Sequence, residues 1–208
     1  MTNVLIVDDE RVVQELFSHY IAGAPDRYSL TAAIKGAANA ELYCVHNRVG
    51  LILMDVCTAD DESGIDAAAQ IKKKYPAVKI IIVTSAPDYR FIDKARAAGA
   101  DSFWYKEVGT DELLDIMDRT MAGEHIYPDT TPRIKVGLAD STEFTQKELE
   151  VLSYLVQGKS LTEIAELMGV DYTTTKTHIK HLKEKTGTTS VSRLAVLAAR
   201  TKFILPEY

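Results

Sequence analysis

The sequence predicts an α/β domain built on a doubly wound, five-stranded parallel sheet, followed by a small all-α domain of four helices. Three observations predict it. Over the first 123 residues short apolar runs alternate strictly with amphipathic stretches, as they do when crossover helices cover both faces of a buried parallel sheet. After about residue 123 no such run recurs and the last third shows helical periods alone. Charge divides the chain in the same place: residues 1–123 carry 13 Lys and Arg against 19 Asp and Glu, and residues 141–208 carry 9 against 8, within a net charge of −6. A length of 208 residues suits one large or two small domains.

The elements follow in order. Val4-Leu5-Ile6-Val7 marks a strand over residues 3–7, then a helix over about 10–22, a strand over about 28–35 and a helix over about 37–47. Leu51-Ile52-Leu53-Met54 is the third strand, followed by a helix over about 63–75. Val78 to Thr84 is the fourth, with a helix over about 88–98; residues 101–105 are the fifth, with a helix over about 110–122. Gly23-Ala24-Pro25, Tyr75-Pro76, Ala98-Gly99 and Ala122-Gly123 stand where these helices should stop. Residues 124–140 hold two prolines and a glycine without a sustained helical period, and read as a linker.

Beyond the linker, Thr145 and Glu148 form the hydroxyl-and-carboxylate signature of a capping box. Leu149, Val151, Leu152, Leu155 and Val156 recur at helical spacing until Gly158. Leu161–Met168, a turn at Gly169-Val170-Asp171 and a helix over about 172–185 form a helix-turn-helix. A fourth helix runs from about Val191 to Phe203. Between Tyr172 and Lys202 seven basic residues stand against one acid, Glu184, and this stripe points to a polyanionic partner. Lys176, Lys180 and Lys183 fall on one face of the basic helix, where ammonium and hydroxyl groups meet DNA phosphates. Thr174, Lys176, His178 and Lys180 are the expected DNA contacts.

An open parallel sheet gathers its functional groups at the carboxyl ends of its strands. Asp8 and Asp9 close the first apolar run, Asp55 the third, Thr84 the fourth, and Lys106 the fifth. Three carboxylates, a hydroxyl and an ammonium at one sheet edge suit a hard divalent cation and a phosphoryl group. Any one Asp at a strand end is often a turn former or helix cap. Four strand ends that each deliver a useful residue type point to a site.

These residues resemble a known family. Val7-Asp8-Asp9, Leu53-Met54-Asp55, Val83-Thr84-Ser85 and Ala98 to Lys106 are similar to the receiver domain of two-component response regulators, and Phe144 to Leu152, Gly158, Ile164-Ala165 and Thr174 to Ile179 to the LuxR/NarL (FixJ) type of output domain. The resemblance covers essentially the whole chain. It implies a flavodoxin-like receiver at 1–123, the linker at 124–140 and a LuxR-type DNA-binding domain at 141–208. It further implies Asp55 as the phosphoacceptor, Mg²⁺ held by Asp8, Asp9, Asp55 and the backbone carbonyl of Cys57, Lys106 and Thr84 as phosphoryl contacts, and Thr84 with Phe103 as the switch. The partners it implies are a sensor histidine kinase, a roughly two-fold symmetric DNA operator, RNA polymerase and a second copy of the chain when phosphorylated or bound to DNA.

Two departures from the family pattern stand out. The loop after Asp55 lacks the usual proline, places its glycine, Gly64, one residue late, and carries three consecutive acids, Asp60-Asp61-Glu62. That charge either tunes the neighbouring site or is simply solvated. Thr175 stands where valine is common, so its hydroxyl either weakens packing or adds a phosphate contact. The last helix either packs on the other three or forms the dimer contact.

A phosphatase on the same fold would need an acid two residues beyond Asp55, where Cys57 stands, so no enzymatic role is expected. A degenerate receiver would lack an acid, the threonine or the lysine. No run is long and apolar enough to span a bilayer, Met1-Thr2-Asn3 opens no signal peptide, and Cys44 with Cys57 fits two free thiols. A cytoplasmic protein without membrane partners is expected.

Overall fold

In the computed structural model residues 1–106 and 110–205 are described. They form two compact units, one of Met1–Ser85 with Arg90–Thr130 and one of Ala86–Tyr89 with the chain from Thr131.

The first unit alternates β1 (Thr2–Val7), α1 (Arg11–Ala22), β2 (Tyr28–Ile34), α2 (Ala40–Asn47), β3 (Leu51–Asp55), α3 (Gly64–Lys74), β4 (Lys79–Thr84), α4 (Arg90–Ala97), β5 (Ser102–Tyr105) and α5 (Thr110–Met121). The five strands are parallel in the order β2-β1-β3-β4-β5. All five residues of β3 are buried, because a central strand is covered on both faces. On one face Val4, Ile6, Leu53, Ile81, Val83 and Trp104 pack with Phe17 of α1 and Met117 of α5.

Register then places the chemistry. Val7 lies opposite Met54, Asp55 opposite Val83 and Thr84 opposite Tyr105. Asp8, Asp55, Thr84 and Lys106 therefore leave the sheet at one edge.

The second helix starts later than expected. Ala37–Asn39 is a 3₁₀ turn and α2 begins at Ala40. Ala37 N donates to Thr58 Oγ1 and Ala38 N to Glu62 Oε2, so the loop after β3 takes the first donors of this stretch.

The stretch 124–140, read as a linker, holds backbone structure on either side of the division at Thr130/Thr131. Phe103 N donates to Ile126 O, 2.8 Å away. Within the second unit Lys135–Val136 (β6) pairs antiparallel with Ala139–Asp140 (β7). Gly137 turns that hairpin at φ 68°, and a Cβ there would lie 2.1 Å from Thr186 O.

Four helices follow: α6 (Gln146–Val156), α7 (Leu161–Met168), α8 (Tyr172–Thr186) and α9 (Val191–Arg200). The expected capping box at Thr145 and Glu148 forms, and a second forms at Ser160 and Glu163. Gly169 and Gly187 end α7 and α8 in the left-handed conformation. Val151, Leu152, Ile164, Ile179, Leu182, Leu194 and Ala198 make this unit's core. Residues 206–208, assigned from sequence to the last domain, lie outside the described residues. Among the described residues no helix is long and apolar enough to cross a membrane, and Cys44 and Cys57 form no disulfide.

Candidate functional site

Three strand ends meet at one ammonium group. Lys106 Nζ lies 2.7 Å from Asp8 Oδ2 and 2.8 Å from Asp55 Oδ2. Asp8 has no solvent-exposed surface and Asp55 is 5% exposed. Asp8 Oδ1 also accepts from Glu10 N at 3.0 Å, and Asp55 Oδ1 from Val56 N at 2.7 Å. Gln14 on α1 donates to the carbonyls of Asp8 and Ile34, pinning the end of β1. Thr84 is buried, and its carbonyl accepts from Lys106 N at 2.9 Å, which couples the ends of β4 and β5.

One ammonium does not neutralise this group. Burial pushes the Asp55 carboxyl up to about 6, against the attraction of Lys106, with the nearby Asp8 charge adding to the rise. Burial likewise raises Asp8 despite Lys106. Burial acts to lower Lys106, but the two carboxylates more than reverse it and hold the ammonium charged.

Asp9 is exposed, and ligand oxygens of Asp8, Asp9 and Asp55 all lie within 4.8 Å of one another. A hard divalent cation binds oxygens at about 2.0–2.6 Å, so atoms this close can share one ion. The all-oxygen, acid-rich donor set fits Mg²⁺ and disfavours softer metals. Cys57, the fourth residue assigned to the cation, pairs as an isolated antiparallel bridge with Ser63.

The loop that carries Cys57 accommodates its late glycine by a 3₁₀ turn at Ala59–Asp61 with Asp60 at φ 61°. Gly64 then passes so near β3 that a Cβ would sit 1.8 Å from Asp55 O, so no other residue fits without displacing the site. Of the three acids, Glu62 has a definite partner, because its carboxylate accepts from Ala38 N at 2.7 Å. Thr58 Oγ1 accepts from Ala37 N and donates to Glu62 O. Gln14, Thr58 and Glu62 thus position the site's backbone, and no local sequence signal marked them, since each also has a partner 20 or more residues away: Ile34 O, Ala37 N and Ala38 N. Phe103 is 1% exposed and packs edge-on against Tyr105 with centroids 5.1 Å apart.

In the second unit α8 buries Thr175, Ile179, Leu182 and Thr186 and turns its other side outward. Thr174, Lys176 and Lys180 of the expected contact set are exposed; His178 is half-buried. Thr173, Thr177 and His181 are exposed as well and stand nearer the pole opposite the buried stripe. Thr177 Oγ1 donates to Thr173 O, which leaves it a hydrogen-bond acceptor and a methyl group for an outside partner.

On this helix one residue departs from the sequence reading and another is decided between its two alternatives. Lys185, counted in the basic stripe, reaches inward to Glu148 Oε2 at 2.7 Å and Glu143 O at 2.8 Å. Thr175 has no exposed surface and its hydroxyl finds no partner among the described residues, so of the two readings of Thr175 it is packing that its hydroxyl disturbs, not phosphate that it meets.

Residues 4–118 match the response regulator receiver domain, and residues 142–198 match the bacterial regulatory proteins of the LuxR family. The chain belongs to the response regulators, with a receiver domain followed by a LuxR-type DNA-binding domain. It is 29% identical over 189 residues to the response regulator protein VraR of Staphylococcus aureus, with 88% of each chain covered. A LuxR-family two-component response regulator from Aurantimonas is similar at 26% identity and a TM-score of 0.56, over 61% of this chain and 89% of that one. The fold also matches a structure of two RcsB dimers bound to two parallel DNAs, at 17% identity and a TM-score of 0.62 over 95% of this chain and 98% of that one.

Proposed function

We propose that Asp55 accepts a phosphoryl group from the histidine of a sensor kinase and that this controls DNA binding by the second unit. The observation that carries the reading is the convergence of Asp8 and Asp55 on Lys106 at 2.7 and 2.8 Å in a buried, under-neutralised cluster. Asp55 Oδ2 attacks phosphorus, the phosphorus–nitrogen bond of the phosphohistidine breaks, and the imidazole leaves with the electron pair. Asp8, Asp9, Asp55 and the Cys57 carbonyl would hold Mg²⁺, which supplies charge neutralisation for the incoming phosphoryl oxygens. Lys106 gives up its bond to Asp55 and pairs with a phosphoryl oxygen, and Thr84 donates to another. Phe103 responds from its place three residues before Lys106. The chain acts here as phosphoryl acceptor and not as a turning-over enzyme, because Cys57 gives no acid for hydrolysis.

On α8, Lys176 and Lys180 neutralise DNA phosphates, with Thr174 and His178 beside them. Thr177 and His181, left out of the sequence-based set, extend the face toward the bases. A second copy of the chain, pairing when phosphorylated or on DNA, would fit a two-fold symmetric operator. RNA polymerase is the remaining partner of this reading, and the cytoplasm its compartment.

Intact-mass spectrometry with a small phosphodonor and Mg²⁺ tests the chemistry. One phosphoryl adduct is expected on the parent chain and none on Asp55→Asn; equal labelling of both overturns the assignment. A gel shift against random duplexes with and without the phosphodonor tests the output, and identical binding in both arms overturns the control by Asp55.

A further inference from the structure

The segment that leaves α5 lies along β5. β5 is an edge strand of the sheet, and an edge strand presents N–H and C=O groups with no strand beside them. Here residues 125–127 supply partners at the start of the strand and just before it. Phe103 N donates to Ile126 O at 2.8 Å, and Ile126 N donates to Ser102 Oγ at 3.2 Å. Ser102 Oγ in turn lies 2.7 Å from Thr120 Oγ1 of α5. His125 Nδ1 lies 2.9 Å from Asp101 O, and since a carbonyl only accepts, the ring proton sits on that nitrogen. Tyr127 OH donates to Ala100 O at 2.6 Å, and the Arg96 guanidinium of α4 sits 4.1 Å from the centre of its ring. Ile126 packs on the core of the unit.

The side chains of His125 and Tyr127 and the backbone of Ile126 thus grip every residue from Ala100 to Phe103. The grip ends at the residue proposed as the switch. Phe103 is three residues from Lys106, about 10 Å along a strand, and Lys106 N is tied to Thr84 O. A shift of Lys106 and Thr84 toward a phosphoryl group therefore pulls on a four-residue strand whose far side is held by residues 125–127. Three residues beyond Tyr127 the chain passes into the second unit.

We infer that residues 125–127 are a strap that passes the state of β5 to the chain entering the DNA-binding unit, and that phosphorylation loosens it. The inference rests on the Asp55 reading. It differs from a plain edge cover in one respect: an edge cover stays closed whatever happens at Asp55.

Hydrogen exchange read by mass spectrometry on the full chain, with and without acetyl phosphate and Mg²⁺, tests it. Intact mass on the same samples reports the adduct. Where the adduct is present, peptides holding the Phe103 and Ile126 amides should exchange at least about fivefold faster, the low end of ordinary coupling between sites. Tyr127→Phe, which removes one hydroxyl and keeps the ring on Arg96, should raise the same exchange before any phosphodonor is added. It should also narrow the ratio of DNA affinities measured with and without acetyl phosphate. Tyr127→Ala should narrow it further, with an unchanged far-ultraviolet circular dichroism spectrum as the check on folding. Unchanged exchange in a chain whose mass shows the adduct overturns the strap and leaves the Asp55 reading intact. Absence of the adduct overturns the Asp55 reading, and the strap's signalling role falls with it.

Discussion

Each unit of this protein sets a lysine against buried carboxylate, and the two sites respond in opposite ways. In the DNA-binding unit Glu148 gathers Thr145 N, Thr145 Oγ1 and Lys185 Nζ around one carboxylate. Burial acts to raise its pKa, but Lys185 and Thr145 together carry it below the ordinary value. In the receiver two buried carboxylates share one ammonium, and Asp55 rises to about 6. The charge that is fully answered within the chain serves the fold. The charge that is not answered is the one that the proposed function assigns to a cation and a phosphoryl group, in keeping with the way perturbed carboxylates collect at functional sites.

The sharpest way to break this comparison is to remove each ammonium partner or its acid. Lys185→Ala strands Glu148, whose side chain is 4% exposed. It should cost the DNA-binding unit about 3 kcal/mol, the low end for breaking a buried pair, measured by calorimetric melting of the full chain. A loss under about 0.5 kcal/mol would show that the pair is not structural. The pH dependence has a definite sign. Because the folded value of Glu148 lies below the unfolded one, its contribution is present above about pH 4.5 and is lost as pH falls through the folded value.

Asp55→Asn should act in the other direction. The folded receiver keeps a proton on Asp55 that the unfolded chain releases near pH 4, so without a cation its stability falls as pH rises from about 4 to about 6. Replacing the acid removes that penalty and should stabilise the receiver at pH 7 by about 1–3 kcal/mol. Trp104 is the only tryptophan and is buried in the receiver core, so its fluorescence in urea reports this unit. A destabilised variant, or one with an unchanged pH slope, would contradict the raised pKa.

Thr175→Val extends the comparison to a neutral group. A hydroxyl buried without a partner costs about 1–3 kcal/mol, and valine has nearly its shape, so the variant should be more stable by about 1 kcal/mol, with DNA affinity unchanged. Weaker DNA binding would instead give the hydroxyl the phosphate contact that its burial argues against.

The smallest effect on stability is expected from Lys180→Ala. Lys180 is exposed and lies 3.8 Å from Glu184, itself exposed, and such surface changes stay within about 0.5 kcal/mol. Its effect should appear in binding: the slope of log affinity against log salt should flatten by about one unit. An unchanged slope would remove Lys180 from the DNA face and leave Lys185 and Lys180 alike in having no role there.

The sequence by itself determined the alternation of the receiver's strands and helices, the four helices that follow, the capping box at Thr145 and Glu148 and the residue types at the strand ends. Each is a local matter: a strand is read from a short apolar run, a capping box from residues three apart, and parallel topology then carries Asp8, Asp55, Thr84 and Lys106 to one edge whatever the rest of the chain does. Only the tertiary structure decided which side chains meet. Glu148 and Lys185 are 37 positions apart, and Ala38 and Glu62 are 24 apart. So a lysine read as part of a DNA stripe proved to be held by Glu148, one acid of a solvated-looking loop proved a cap for Ala38, and the first residues of the supposed linker proved to bond to β5 and the residues before it. The physical reason is that hydrogen bonds and ion pairs need atoms within about 3 Å in one orientation, and periodicity fixes a residue's face without fixing the partner that the fold brings to it.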